Sequence, residues 1–360
     1  MQENMDMAFA YPKYLEELVE RLVKRNWLVH NFPKVDNTDV YNFANYRQNK
    51  FVNNVIYTVY LDVNIYQFII NAVKKNSPKE EFKDAIALVT FCQIAEIELD
   101  PTYAVYEKLN YSNDQALLDE LTTDLELFQR INNTSNELLA QYSLGFIEKF
   151  TPSEGHNVEH DKVQKGLTKY RRLIEWDSMY LMILYITNTS LIDTLNKKSK
   201  LKKLIEWMIK EFRLSLVVIV FAIIYFGDKP LRRMMKVKLN DSPERKLKSL
   251  FNMTWDLYTL NRYFRMWSER EPQQEGIYAS NDKVFNEILR GSIDVQNSEE
   301  LTHFEGYIDK EDIQFISEMT MNQNHSHERM YDSEEWSHEY RARLIKKYEE
   351  LLGVDSKATS

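Results

Sequence analysis

Apolar residues recur at helical spacing through residues 14–27 (YLEELVERLVKRNW), so the chain opens on an amphipathic helix. The polar stretch 34–50 lacks that period and reads as a connector. The run 55-VIYTVYLDVN-64 is β-branched and aromatic, with no charge before Asp62, and predicts a buried strand. Helical periods return over 65–75 and 79–96. A short strand follows at Ile97–Leu99, and Asp100-Pro101 then caps and opens the helix TYAVYEKL.

From about Asn113 to Leu250 nearly every segment has a helical period, with breaks near 151–157, Asn196 and 239–244. Residues 253–268 predict a further helix. The strand 276-GIYAS-280 leads into Asn281-Asp282, which cap the helix KVFNEILR; Gly291 and a strand SIDV come next. The remainder is acidic and turns helical towards 336–352. Strand–helix units at both ends of a helical block predict an α/β core interrupted by an all-helical insertion. We divide the chain into an N-terminal helical addition (1–54), a core in two parts (55–112 and 251–296), the insertion between them (113–250) and an acidic helical tail (297–360).

Composition narrows this picture. The 360 residues are 44% hydrophobic and 28% charged, with only 8 Gly and 8 Pro, which fits a folded, helix-rich protein. The single cysteine, Cys92, excludes an internal disulfide and a zinc site built on cysteine pairs. No signal peptide is visible, and the longest apolar run, 214–227, falls short of the roughly 20 residues of a membrane helix. A cytoplasmic protein without a membrane partner is expected. The net charge of −9 is unevenly spread: Leu195–Lys248 holds fifteen Lys and Arg against five acids, and Ser298–Tyr340 holds twelve acids against two bases.

The candidate chemistry lies at the strand ends, where ligands collect in parallel α/β sheets. Asp62 closes the first strand and Asp282 follows the last. Glu107 and Asp256 stand on neighbouring helices, and Asp256 is flanked by Trp255, Leu257, Tyr258 and Leu260, a setting where a carboxylate needs a partner or a metal. Each acid has a plainer reading: Asp62 as a strand end, Asp282 as an N-cap, Glu107 as a solvated residue, and Asp256 as a structural acid paired with a residue such as Arg262.

In combination, the order strand-Asp, helix-Glu, helix-Asp, strand-Asp resembles the PIN-domain family. The residues that carry the resemblance are YLDVNIYQFI with Asp62 and Asn64, DPTYAVYEKL with Glu107, TWDLYTL with Asp256, and IYASNDKVFNEIL with Ser280, Asn281, Asp282 and Lys283. It covers about 57–110 and 252–296, and departs from compact members in the roughly 140 residues between the second and third motifs. The resemblance implies a PIN-like parallel sheet core and a Mg²⁺- or Mn²⁺-dependent nuclease, with RNA favoured over DNA. Asp62, Asp256 and Asp282 would hold the metal, Glu107 would complete the catalytic set, and Asn64, Ser280 and Asn281 would orient it. A toxin or defence role, a homodimer and a regulatory protein partner are compatible with this reading. The rival from another class is a non-catalytic interaction or scaffold protein that keeps such a core.

An acidic site that cuts a polyanion needs positive potential nearby. Lys229, Arg232, Arg233, Lys236 and Lys238 are expected to supply it from one helical face, unless the basic block only balances the acidic tail or is covered by it. Three weaker signals compete. Asp177 and Asp228 form a rival acid pair without the Ser-Asn-Asp-Lys context, and His325, His327 and His338 lie in polar sequence that reads as solvated surface. Gly-rich phosphate loops and HExxH are absent from the sequence.

Overall fold

The computed structural model describes residues 10–32, 39–75, 79–154, 159–169, 173, 175–269, 271, 273–321 and 338–356. The chain forms two compact units: Met1–Arg171 with Tyr263–Asp282, and Arg172–Arg262 with Lys283–Ser360.

The first unit opens with α1 (Tyr14–Arg25), which buries Leu15, Leu18 and Leu22 along one stripe. It continues through β1 (Leu28–His30), α2 (Phe43–Asn53), β2 (Ile56–Leu61), α3 (Val63–Lys74), α4 (Glu80–Ala95), β3 (Glu98–Asp100) and α5 (Thr102–Leu109). Three more helices, α6 (Gln115–Asn132), α7 (Asn136–Ser143) and α8 (His160–Thr168), complete its first stretch. Its second stretch holds the end of α12 (Pro243–Glu269) and β4 (Gln274–Ala279).

The sheet has the order β1-β4-β2-β3. β2 pairs in parallel with both β3 and β4, with Val59 opposite Leu99 and Ile277, and Leu61 opposite Ala279. Tyr57, Val59, Leu61, Ile277 and Ala279 therefore share one face and enter the core with α1, α3 and α4, while Ile56, Thr58 and Tyr60 face the other way. The expected parallel sheet is mixed, because β1 lies antiparallel on β4. A three-residue strand directly after a helix has too little alternation to register in the sequence. α2 also falls in the supposed connector. Its apolar face is slight, with only Tyr46 buried, but Asn42 accepts from Ala44 N–H at 3.2 Å and starts it.

The second unit is helical: α9 (Trp176–Leu191), α10 (Lys197–Lys210), α11 (Leu216–Phe226), most of α12, α13 (Lys283–Ser298), α14 (Lys310–Met321) and α15 (His338–Leu352). The apolar run 214–227 is α11, whose residues from Val217 to Ile224 are all buried. Among the described residues no helix is long and apolar enough to cross a membrane. The expected strand at 292–295 is instead the continuation of α13, because Leu289, Ser292 and Ile293 recur on a buried helical face.

Two core-facing helices of the first unit carry buried acids, and both are paired. Arg21 and Arg25 of α1 reach Asp84 of α4 at 2.6 and 2.5 Å, and Lys74 and Lys108 converge on Asp124 of α6. Removing one side of such an arrangement leaves charge without its counter-ion. Asp84→Ala should lower stability by about 3 kcal/mol, read as a drop in the urea midpoint, whereas a change within ~0.5 kcal/mol means the arginines resolvate freely.

Candidate active site at the strand ends

β2 ends at Leu61, and the next residue both leaves the sheet and starts a helix. Asp62 adopts an extended backbone (φ −73°, ψ 167°) and accepts from Ile65 N–H at 2.7 Å through Oδ1, capping α3. Its own N–H donates to Ala279 O at 3.0 Å, so the pairing of β2 with β4 runs on into the cap. The second oxygen, Oδ2, accepts from Ser280 Oγ at 2.5 Å, across 218 residues of chain. Asn64, through its side chain, and Asn281, through its backbone N–H, also hydrogen-bond the carboxylate.

Asp62 is only 7% exposed. Burial pushes its carboxyl up from 3.8 to about 6, because desolvation outweighs the hydrogen bonds from Ile65, Ser280, Asn64 and Asn281 that pull it down. The group is thus an acid at the edge of ionisation near neutral pH, a trait concentrated at functional sites.

On the other strand, Ser280 N–H donates to Trp27 O at 3.1 Å, and Trp27 Nε1 donates to Asn281 Oδ1 at 2.9 Å. Asp282 N–H donates to Ser280 Oγ at 3.0 Å. One serine hydroxyl therefore joins the Asp62 carboxylate to the backbone of Asp282, which stands half-buried immediately ahead of α13. Trp27, expected as the end of the first helix, instead stands between α1 and β1, just ahead of a strand too short to read.

The other two candidate acids stand on helices. Glu107 is half-buried on α5 of the first unit. Asp256 belongs to the second unit, where its side chain is 37% exposed and Lys236 Nζ holds it at 2.6 Å. Lys236 is thus one partner of this acid, and its apolar neighbours Trp255, Leu257 and Tyr258 are buried while it is half-exposed. Among the described residues no group of three or more His, Cys, Asp or Glu side chains is arranged to hold a metal ion. Of the rival acids, Asp177 lies in the first turn of α9 and Asp228 is exposed, both in the second unit. His338 is exposed at the start of α15, and His325 and His327 lie outside the described residues.

The basic segment differs from its expected form. Residues 228–242 are not helical, and Arg233 has φ 68°. A side chain at Gly227 would meet Ile223 O at 2.6 Å and Tyr307 O at 2.7 Å, so only glycine lets the chain leave α11 here. Met234 and Val237 are buried and pin the loop, while Lys229, Arg232, Arg233, Lys236 and Lys238 are all exposed. The neighbouring helix α10 has its charge compensated: Lys198 and Lys202 meet Asp309, Glu311 and Asp312, and Lys203 meets Asp193. The acidic segment thus meets two lysines of α10, while the five cations of the loop face solvent.

No protein-family model, no curated protein and no solved structure matches this chain.

The raised carboxyl has a pH signature. In the unfolded chain Asp62 loses its proton near 3.8, and in the fold only near 6. Between those values the folded state binds more protons, so stability falls as pH rises; below them the group contributes no difference. Asp62→Asn removes the slope. Relative to this variant, the native chain should lose about 2 kcal/mol between pH 4 and 7, measured by urea unfolding at each pH. A difference that stays flat with pH would falsify the buried, high-pKa carboxyl.

Proposed function

We propose that this chain is a divalent-metal-dependent nuclease of the PIN-like kind, hydrolysing phosphodiester bonds in RNA in preference to DNA. The observation that carries the reading is the junction of Asp62 with Ser280 and the Asp282 backbone, which unites the two most specific motifs of the resemblance at adjacent parallel strand ends. Asparagine could cap α3 through its single carbonyl oxygen without the desolvation cost of an ion, so the buried carboxylate is better explained by chemistry than by the cap alone.

The donor chemistry suits Mg²⁺ or Mn²⁺, which take one or two carboxylates and complete their shell with water and substrate phosphate. Asp62 and Asp282 are the residues that would hold the ion; with no three-acid group among the described residues, Glu107 and Asp256 are not carried into that set. When bound, such an ion acidifies a water and neutralises charge on the phosphate. Asn64 and Ser280 orient the Asp62 carboxylate by hydrogen bonds. Ionised Asp62, available above about pH 6, is the form that can bind a cation.

A scaffold protein without catalysis is the second reading. It is favoured by the same carboxylate, whose two oxygens already accept from Ile65 and Ser280. Titration with Mn²⁺ at neutral pH separates the two. A working site should raise the melting temperature in the native chain and not in Asp62→Asn or Asp282→Asn, and both variants should lose cleavage of a single-stranded RNA by 100-fold or more, an order set by loss of charge stabilisation at the reacting phosphate. No Mn²⁺ shift and no cleavage leaves the scaffold reading standing, whereas cleavage that is independent of Mn²⁺ and of both acids overturns the two readings alike.

The basic loop is the proposed phosphate contact. Changing Lys229, Arg232 and Arg233 together to Ala, and leaving Lys236 on Asp256, should weaken RNA binding and flatten the slope of log K against log salt by roughly 0.7 for each lost contact with a single strand. An unchanged slope shows that the loop does not meet phosphates.

A further inference from the structure

The first unit has a second concavity, towards the opposite ends of the same strands. A cavity of about 380 Å³ opens on the sheet face turned away from the core. Tyr60 of β2, Glu98 of β3, Tyr263 and Trp267 of α12, and Glu275 and Gly276 of β4 are among the residues lining it. Gly276 and its neighbour Thr58 stand three residues before Ala279 and Leu61, so the cavity is displaced by about 10 Å along the sheet from the Asp62 end.

Its construction is specific. Tyr263 donates its hydroxyl to Gly276 O at 3.2 Å, and its ring meets Tyr278 edge-on at 6.4 Å, so the ring is fixed across the strand. A side chain at position 276 would lie 3.1 Å from the Tyr60 ring and 3.8 Å from that of Tyr263; the bare glycine keeps the floor between the two rings open. Among the described residues lining the cavity none is basic, and two are glutamates. The field there is negative enough to act on Tyr60: burial pushes its hydroxyl up to about 12, with Asp100 and Glu98 adding to the effect.

Aromatic faces attract cations through the ring quadrupole, and adjacent carboxylates reinforce that attraction. The same carboxylates repel phosphate, which argues against a nucleotide. We infer that this cavity binds an organic monocation, an alkylammonium or guanidinium group seated against Tyr60, Tyr263 and Trp267 and held by Glu98 and Glu275. The inference is independent of the nuclease reading, since it uses neither Asp62 nor Asp282.

The test is titration of the full chain with tetramethylammonium chloride and with methylguanidinium chloride, followed by saturation-transfer NMR and by melting temperature. Sodium chloride at matched ionic strength and the neutral isostere tert-butanol are the controls. Saturable binding of at least one cation in the millimolar range is expected, and which of the two binds tighter tells whether the glutamates act as hydrogen-bond acceptors or only as charges. Trp267→Leu and Glu98→Gln should each weaken binding by roughly tenfold, and Gly276→Val should abolish it. If Gly276→Val does not fold, the exposed Glu98→Gln variant decides alone. Failure of both cations to saturate, or equal binding of tert-butanol with no effect of Glu98→Gln, overturns the inference.

Discussion

Everything at the strand ends depends on one carboxylate with two acceptor oxygens in different elements. Asp62 Oδ1 starts α3 and Oδ2 takes the hydroxyl of Ser280, so a single side chain fixes where β2 stops, how α3 leaves the sheet and where β4 stops. The arrangement is tightly determined because Asp62 N–H also continues the β2–β4 pairing. It is also uneconomical. The raised carboxyl shows that burial costs this ion more than its hydrogen bonds return. A site with that imbalance owes its stability to the surrounding sheet, whose buried residues Val59, Leu61, Ile277 and Ala279 supply the apolar burial.

Charge elsewhere is arranged on the opposite principle. Asp84 and Asp124 are as deeply buried as Asp62, but each meets two cations. On α10, Lys198, Lys202 and Lys203 are matched by Asp193, Asp309 and Asp312. Asp62 differs in receiving its hydrogen bonds from neutral donors: a backbone amide, a serine hydroxyl and an asparagine side chain. Neutral donors orient a carboxylate without cancelling its charge, which leaves that charge to act on something else.

How much of this was legible follows from the range of each signal. β2, β4 and the motif residues Asp62, Ser280 and Asp282 were readable because alternating or continuous β-branched runs end in recognisable capping residues. α2 escaped because its apolar period is weak, and β1 because three residues cannot show a period. The strand expected at 292–295 failed when Gly291 was taken as a boundary; the glycine lies inside α13. Flanking apolar residues made Asp256 look buried, yet a helix turns successive side chains about 100° apart, and Asp256 falls on the half-exposed edge beside Lys236. The basic segment was misread for a related reason: five cations around two methionines resemble a helical face, whereas buried Met234 and Val237 anchor an irregular loop. Asp84 and Asp124 gave no signal at all, since their partners come from other helices.

The two ends of β2 illustrate why local chemistry can diverge on a single strand. At the carboxyl end, α3 begins, and its free N–H groups and dipole favour negative charge. A carboxylate there is tolerated, and an incoming phosphate would meet positive partial charges as well as Asp62. Towards the other end Gly276 keeps the space between two tyrosine rings open, and Glu98 and Glu275 line the same cavity. Ring quadrupoles and carboxylates present negative potential there, and among the described lining residues none is basic. On the two proposals, one sheet would hold a metal ion with its phosphate where β2 feeds α3 and an organic cation three residues earlier, with the distinction set by backbone polarity as much as by side chains.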